Sequence, residues 1–366
     1  MENERYLTEQ IITYLGNKRK LLDNIAIEVE ASLSELGKER GIVCDLFSGS
    51  GIVARRLKQY ASVLYANDLE NYSYVINDCY LTNKEDFDDE TYDRLYAEIM
   101  GANPVEGVIT KNYSPENDND IKEGERTFYT HENAIIIDTI RNAIERIPEQ
   151  DKKFFLAPLL YEASVHANTS GVFKGFYKSK TSNVGKFGGE GENSLDRILG
   201  KIELKKPILS NYSCQVKIFK EDANVLVKQL SGLDITYVDP PYNQHPYGSN
   251  YFMLNTILDN KVGDNISKVS GIPEGWNRSS YNKRNEAASS FSKLLNDMDS
   301  KYIIVSYNNE GIIPIEEMEK ILSEYGDVRT KKIDYVTFRG SRNLNNRNKH
   351  TTEYIFTLKK KISRNE

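Results

Sequence analysis

The run Asp234-Ile-Thr-Tyr-Val-Asp-Pro-Pro-Tyr242 restricts the possible folds more than any other stretch of the chain. Ile235 to Val238 reads as a buried strand, and it stops at Asp239-Pro240-Pro241-Tyr242. Proline has no N–H and fixes its own φ, so two in succession end a hydrogen-bonded ladder and stiffen the turn. One carboxylate, the bare carbonyl of Pro240 and one aromatic face are left at the carboxyl end of a strand, the edge where open α/β sheets bind ligands. These groups suit a planar base with an exocyclic amine. Asp239 and the Pro240 carbonyl can each accept one amino hydrogen while Tyr242 stacks on the ring. A strand that merely ends in a proline turn would satisfy the tetrapeptide taken alone.

Upstream, Gly41-Ile-Val-Cys-Asp-Leu-Phe-Ser-Gly-Ser-Gly-Ile-Val-Ala54 reads as an apolar strand, a glycine loop and a helix running to about Tyr60. Gly49 and Gly51 let the backbone approach a ligand, and the helix start offers free N–H groups. A second strand, Ser62 to Ala66, ends at Asn67-Asp-Leu-Glu70, which puts Asp68 17 residues beyond Gly51. That is near the offset at which an acid after the second strand holds ribose hydroxyls, so the combination predicts a cofactor bearing a nucleoside. Gly49-x-Gly51-x-x-Ala54 also meets the loose dinucleotide fingerprint, which keeps a nicotinamide oxidoreductase as a rival.

Around these motifs the pattern is α/β at both ends of the chain. Leu22, Ile25, Val29, Leu33 and Leu36 predict an amphipathic helix stopped by Gly37, and Tyr14-Leu-Gly-Asn-Lys-Arg-Lys20 precedes it. Cations at a helix start oppose the helix dipole, so they serve a ligand or solvent rather than the helix. Strands resume at Cys214 to Phe219, followed by Glu221-Asp-Ala-Asn224, so Asp222 and Asp239 both close strands. Later come a helix near 285–298, a strand from Lys301 to Tyr307, a helix near 314–325 and two strands near 328–338 and 353–360. Two closing strands joined by a loop predict an antiparallel edge on an otherwise parallel sheet. Between residues 86 and 210 the periods are helical, near 86–100, 131–147 and 151–168, which predicts an inserted, mainly helical domain.

Composition narrows the partners. At 366 residues the chain is long enough for two domains, and no apolar run approaches the ~20 residues of a membrane helix. Three scattered cysteines and four histidines make neither a disulfide framework nor a metal cluster, so a reducing cytoplasm and metal-free chemistry are expected. Net charge is −6, so a polyanion would have to meet local patches. One such patch is the acid-free stretch holding Lys174, Lys178, Lys180 and Lys186; another runs from Arg329 to Lys349. In Gly171-Val-Phe-Lys-Gly-Phe-Tyr-Lys178 the lysines can meet phosphates. Phe173, Phe176 and Tyr177 either offer stacking and wedge surfaces or pack on their own domain.

Asp239-Pro-Pro-Tyr242, with Asp45-Leu-Phe-Ser-Gly-Ser-Gly51 upstream and Tyr14-Leu-Gly-Asn-Lys18 near the start, resembles the Dam-like, alpha-class adenine-specific DNA methyltransferases. The resemblance covers residues 6–80 and 213–360 and is thin across the insert. It implies an α/β fold: a Rossmann-like S-adenosylmethionine-dependent methyltransferase sheet, mostly parallel with an antiparallel edge strand. The catalytic domain would comprise residues 1–80 and 206–366, with a helical target-recognition domain inserted at 81–205. S-adenosyl-L-methionine is then the cofactor and double-stranded DNA the substrate, with a cognate restriction endonuclease as functional partner. By the same resemblance Tyr14 and Lys18 line the cofactor pocket, and Asp45 with the backbone from Ser48 through Gly49 to Gly51 holds the methionine end. Asp68 takes the ribose, and Asp222 with the Ala223 backbone holds the adenine. Asp239, Pro240, Pro241 and Tyr242 carry catalysis, with Asp239 also at the cofactor. Lys174, Lys178, Arg339, Arg342 and Arg347 meet DNA. Since the same chemistry serves cytosine, N4-cytosine methylation is the nearest alternative; a DNA-binding module without catalysis is another.

Overall fold

The computed structural model describes residues 1–189, 194–263, 265–336 and 350–361. Seven strands form one sheet: β1 (Gly41–Asp45), β2 (Ala61–Asn67), β3 (Gln215–Phe219), β4 (Leu233–Val238), β5 (Ser300–Asn308), β6 (Gly326–Val336) and β7 (His350–Lys360). Their spatial order is β3-β2-β1-β4-β5-β7-β6. β3, β2, β1, β4 and β5 run parallel, while β7 lies antiparallel between β5 and β6. The closing hairpin is therefore the antiparallel edge expected from the sequence, with the reversed strand one place in from the rim.

β4 occupies the middle of the sheet, paired with β1 and β5 and buried at every position. Burial on both faces explains why the strand does not alternate between buried and exposed positions. Its one acid, Asp234, is held by Lys38 at 2.6 Å, Lys301 at 2.9 Å and the Ile42 N–H at 2.9 Å. These partners keep its carboxyl below the ordinary range despite burial. From β1 the chain steps outward through β2 to β3, then crosses back to place β4 on the other side of β1. Strand order reverses between β1 and β4, and a crevice opens there at the carboxyl ends.

Helices cover both faces. Leu22–Glu35 and Ile52–Leu57 pack Ile25, Val29, Leu33, Val53 and Leu57 against one side, and Gly37 ends the first helix at φ +67°. On the other side, Ala287–Asp297 and Ile315–Tyr325 bury Phe291, Leu294, Leu295, Met318 and Leu322. A third core is helical. Asp89–Met100, Val108–Tyr113, His131–Ile144 and Glu149–Val165 share it with Tyr72 and Ile76 of helix Asn71–Tyr80 and with helix Phe252–Asp259. Arg141 ties this layer down by donating to the Ile257 and Leu258 carbonyls at the C-terminal end of Phe252–Asp259. Phe173 belongs to this core at 3% exposure, packed near Phe128 and Tyr251, so it offers no wedge surface. Arg339, Arg342 and Arg347 lie outside the described residues.

Candidate active site

The loop after β1 is tied to the end of β2. Ser48 donates from its N–H and its hydroxyl to the Asn67 carbonyl, at 2.8 and 3.0 Å, and accepts from Asn77 Nδ2 at 3.0 Å. The Gly49 N–H donates to Asp68 Oδ2 at 2.8 Å, and the Ser73 hydroxyl donates to the Gly49 carbonyl at 2.6 Å. Gly49 and Gly51 sit at φ +49° and +77°, the left-handed region that favours glycine. A Cβ on Gly49 would stand 2.8 Å from Tyr14 Cε1, so the loop also needs glycine for lack of room. Tyr14 belongs to a cluster of three rings, 4.9 Å from Tyr247 and 4.8 Å from Tyr251, which are themselves 6.1 Å apart. The Leu15 N–H donates to the Tyr251 hydroxyl at 2.6 Å, which fixes the N-terminal segment over the loop.

A cleft of about 710 Å³ opens where the strand order reverses. Of the residues singled out in the sequence, Tyr14, Gly49, Asp68, Asp222, Ala223, Asp239 and Pro241 line it. Asp222 also caps the short helix Ala223–Leu226, accepting from the Asn224 and Val225 N–H groups. Lys18, Asp45, Ser48, Gly51, Pro240 and Tyr242 are not part of this lining. Lys18 nonetheless reaches Asp239: its ammonium lies 2.7 Å from Asp239 Oδ2 and donates to the Gly16 carbonyl at 2.8 Å. Tyr242 donates its hydroxyl to Asp239 Oδ1 at 2.6 Å and meets Tyr307 edge-on at 4.7 Å. The turn is pinned from outside, with Ile312 N–H on the Tyr242 carbonyl at 2.8 Å and Asn282 Nδ2 on the Asn243 carbonyl at 2.7 Å.

Sequence reasoning missed part of this wall. Phe47 and Tyr281 meet at 5.4 Å, edge to face, at the Asp222–Ala223 end. Glu70, Tyr247 and Asn282 also line the cleft. Phe47 lay inside a quoted motif, but the polar loop around Tyr281 carries no periodicity that could have flagged it. The Lys174 segment docks beside the proline turn: the Phe173 N–H donates to the Asn250 carbonyl at 2.8 Å, and exposed Lys174 Nζ lies 3.3 Å from His245 Nδ1. Lys178 lies 5.1 Å over the Phe176 ring.

The cleft concentrates negative charge. Asp45 is fully buried and neither carboxylate oxygen has a well-formed hydrogen bond among the described residues; burial, then Asp239 and Asp68, push its carboxyl well up, against the pull of the Ala54 and Phe47 N–H groups. Burial also raises Asp68, against the pull of the backbone N–H groups it accepts. Glu70 is pushed up to about 7 by burial and by Asp68. Asp68, Glu70, Glu221, Asp222 and Asp239 line the cleft, with Asp45 buried nearby and the Lys18 ammonium on Asp239. Such a site favours a ligand with positive charge of its own.

This sheet, with its order reversal at β1 and β4 and its reversed β7, is a Rossmann-like S-adenosylmethionine-dependent methyltransferase fold. The chain belongs to the D12 class N6 adenine-specific DNA methyltransferase family, whose model matches residues 14–321. It is 31% identical to the Type II methyltransferase M.NlaIII of Neisseria lactamica, over 95% of this chain and 99% of that protein. Identity to M.CviAII of Paramecium bursaria Chlorella virus 1 is 33%, over 86% of this chain and 89% of the relative. M.FokI of Planomicrobium okeanokoites is 30% identical over 96% of this chain but 53% of its own length. The protein is an adenine-specific DNA methyltransferase with S-adenosylmethionine as cofactor. Membership sets aside the N4-cytosine and nicotinamide readings of the same motifs. The Asp45 carboxyl, without a well-formed hydrogen bond among the described residues, and the acidic cleft fit a cofactor that carries both a sulfonium and an α-ammonium.

Proposed function

We propose that the chain methylates N6 of an adenine turned out of double-stranded DNA at one recognition sequence, as the modification half of a restriction–modification pair. The observation that carries this reading is that Asp239 opens on the same cleft as Gly49 and Asp68, so amine acceptor and cofactor cradle share one chamber. The relatives' designation as Type II methyltransferases supports a cognate endonuclease as functional partner and a cytoplasmic place of work.

In this reading the cofactor's adenine lies against Phe47 and Tyr281 beside Asp222 and Ala223, its ribose at Asp68, and its methionine end near Tyr14, Asp45 and the Ser48–Gly51 backbone. S-adenosylmethionine supplies a methyl group on a sulfonium, so a good leaving group is built in. What remains for the protein is alignment and charge. Adenine N6 is a poor nucleophile because its lone pair is delocalised into the ring. When Asp239 and the Pro240 carbonyl accept both N–H bonds, the nitrogen can pyramidalise, and the Asp239 carboxylate offsets the positive charge that develops. Turning the base out costs a few kcal/mol, and stacking on Tyr242 offsets part of it. Residues 81–205 act as the target-recognition domain, and Lys174 and Lys178 grip the duplex. The position of Lys174 beside the proline turn supports that assignment. Arg339, Arg342 and Arg347 would add contacts from the basic loop.

Purified protein, plasmid DNA and methyl-labelled cofactor, followed by digestion to nucleosides, test the reading. Label is expected in N6-methyladenine at one sequence; label in N4-methylcytosine, or scattered without sequence preference, overturns it.

A further inference from the structure

Lys18 holds Asp239 in a way that conflicts with the work assigned to that carboxylate. The ammonium lies 2.7 Å from Oδ2 while the Tyr242 hydroxyl takes Oδ1 at 2.6 Å. A cation there weakens Asp239 as an acceptor and opposes the positive charge growing on the attacking amine. The grip has to be relieved when the base arrives, and a buried ammonium needs somewhere to go.

Glu353 of β7 is so placed. It lies opposite Asn308 of β5 in the sheet register, is 9% exposed, and its Oε2 is buried without a hydrogen-bond partner among the described residues. Its other oxygen has only a long contact, 3.4 Å from Asn308 Nδ2. Lys18 Nζ lies 4.8 Å over the Tyr242 ring, Tyr242 meets Tyr307 at 4.7 Å, and Tyr307 is followed on β5 by Asn308, the register partner of Glu353, so the residue stands close to the pair. Burial raises its carboxyl, the Lys18 charge pulls it down and the Asp239 charge pushes it up. Its charge is felt by Tyr242 and Tyr237 as well. Lysine has a flexible four-carbon stem and three donors, so its ammonium can change acceptor while its Cα stays fixed.

We propose that Glu353 is the alternate partner of Lys18: as the adenine amine reaches Asp239, the ammonium passes to the open Oε2 of Glu353 and frees Asp239 to accept the amine hydrogens. Glu353 is thus a positioning residue that acts through Lys18. The open oxygen gives the departing charge a destination, and the summed charge of Lys18, Asp239 and Glu353 is the same before and after the move.

The inference rests on Asp239 being the amine acceptor, so single-turnover methylation at saturating DNA and cofactor is measured for Asp239→Ala beside the Glu353 variants. An active Asp239→Ala enzyme would remove that premise; an inactive one alongside a normal Glu353→Gln enzyme would remove only the role of Glu353. Glu353→Gln is expected to slow methyl transfer by about fivefold or more, with KM for DNA and cofactor little changed, and Glu353→Asp to recover most of the rate. On a Lys18→Gln background the Glu353→Gln change should add less than about twofold, because there is no ammonium left to receive. A smaller loss in the single variant, or losses that multiply, overturns the proposal. A measurement independent of variant folding is a crystal structure of the wild-type enzyme with substrate DNA and S-adenosylhomocysteine. Lys18 Nζ is expected within hydrogen-bond distance of Glu353 Oε2, and an ammonium still seated on Asp239 overturns the proposal.

Discussion

Two acids show how differently burial treats the same side-chain type. Glu70 is 3% exposed and lines the cleft, accepting from Asn255 Nδ2 at 2.9 Å. Its carboxyl is lifted to about 7, so between about pH 4.5 and 7 the folded protein keeps a proton that the unfolded chain has shed. The stability this gives is full below the unfolded pKa and is lost as pH rises through 7. Glu70→Gln should therefore stabilise the ligand-free protein by roughly 1–3 kcal/mol at alkaline pH, with the gain fading toward pH ~4.5. Urea unfolding across that range checks it; a pH-independent difference between the two proteins would sink the assignment. Asp239 is 17% exposed with both oxygens engaged. Its replacement by Ala should cut methyl transfer by about 10²–10³ or more while S-adenosylhomocysteine binding weakens far less. Calorimetry beside a rate assay separates the two effects, and near-normal turnover would end the proposed mechanism.

At the level of elements, the glycine loop works because three neighbours hold it. Asn67 ends β2 with its carbonyl on Ser48, Asp68 takes the Gly49 N–H, and Tyr14 closes the space above. The helix read from the sequence as running to Tyr60 begins only at Ile52 and gives way after Leu57 to a tighter turn at Lys58–Tyr60. Within it Arg55 is buried, donating to the Tyr6 and Gln10 carbonyls at 3.0 and 2.8 Å, so a polar side chain welds the helix to the N-terminal segment. Gly49→Ala would carry the left-handed penalty of ~1–2 kcal/mol and also crowd Tyr14. The expected result is a lower melting temperature and a smaller thermal shift with S-adenosylhomocysteine. An alanine variant that bound the cofactor product normally would show that the loop has slack.

Across the molecule, net charge is −6, yet the Lys174 segment carries an exposed ammonium to His245, just beyond the proline turn. Replacing Lys174 and Lys178 with Gln should weaken binding to all duplexes alike and lower the slope of log K against log salt by about 1.8, or ~0.9 per lost phosphate contact. Titrations at several salt concentrations read it directly. An unchanged slope would leave the segment a docking element only, as Phe173 in the core already partly is. The helical layer shares its core with helices Asn71–Tyr80 and Phe252–Asp259, so motion of that layer would be felt next to the cleft.

Local chemistry was enough to read β1, β2 and β4, the glycine loop between Asp45 and Ile52, and the ends at Asp68, Asp222 and Asp239. Apolar runs, prolines and glycines act on their own neighbourhood, and the order of motifs then points to the sheet. Contacts between distant segments could not be read that way. The ammonium of Lys18 on Asp239, the stacking of Tyr14 against Tyr247 and Tyr251, the wall of Phe47 and Tyr281, and the open oxygen of Glu353 each join segments far apart along the chain. Nothing in the periodicity of one segment encodes which side chain another will bring to it. Folding settles that, because burial and proximity rather than residue type decide whether a carboxyl is paired, protonated or left open.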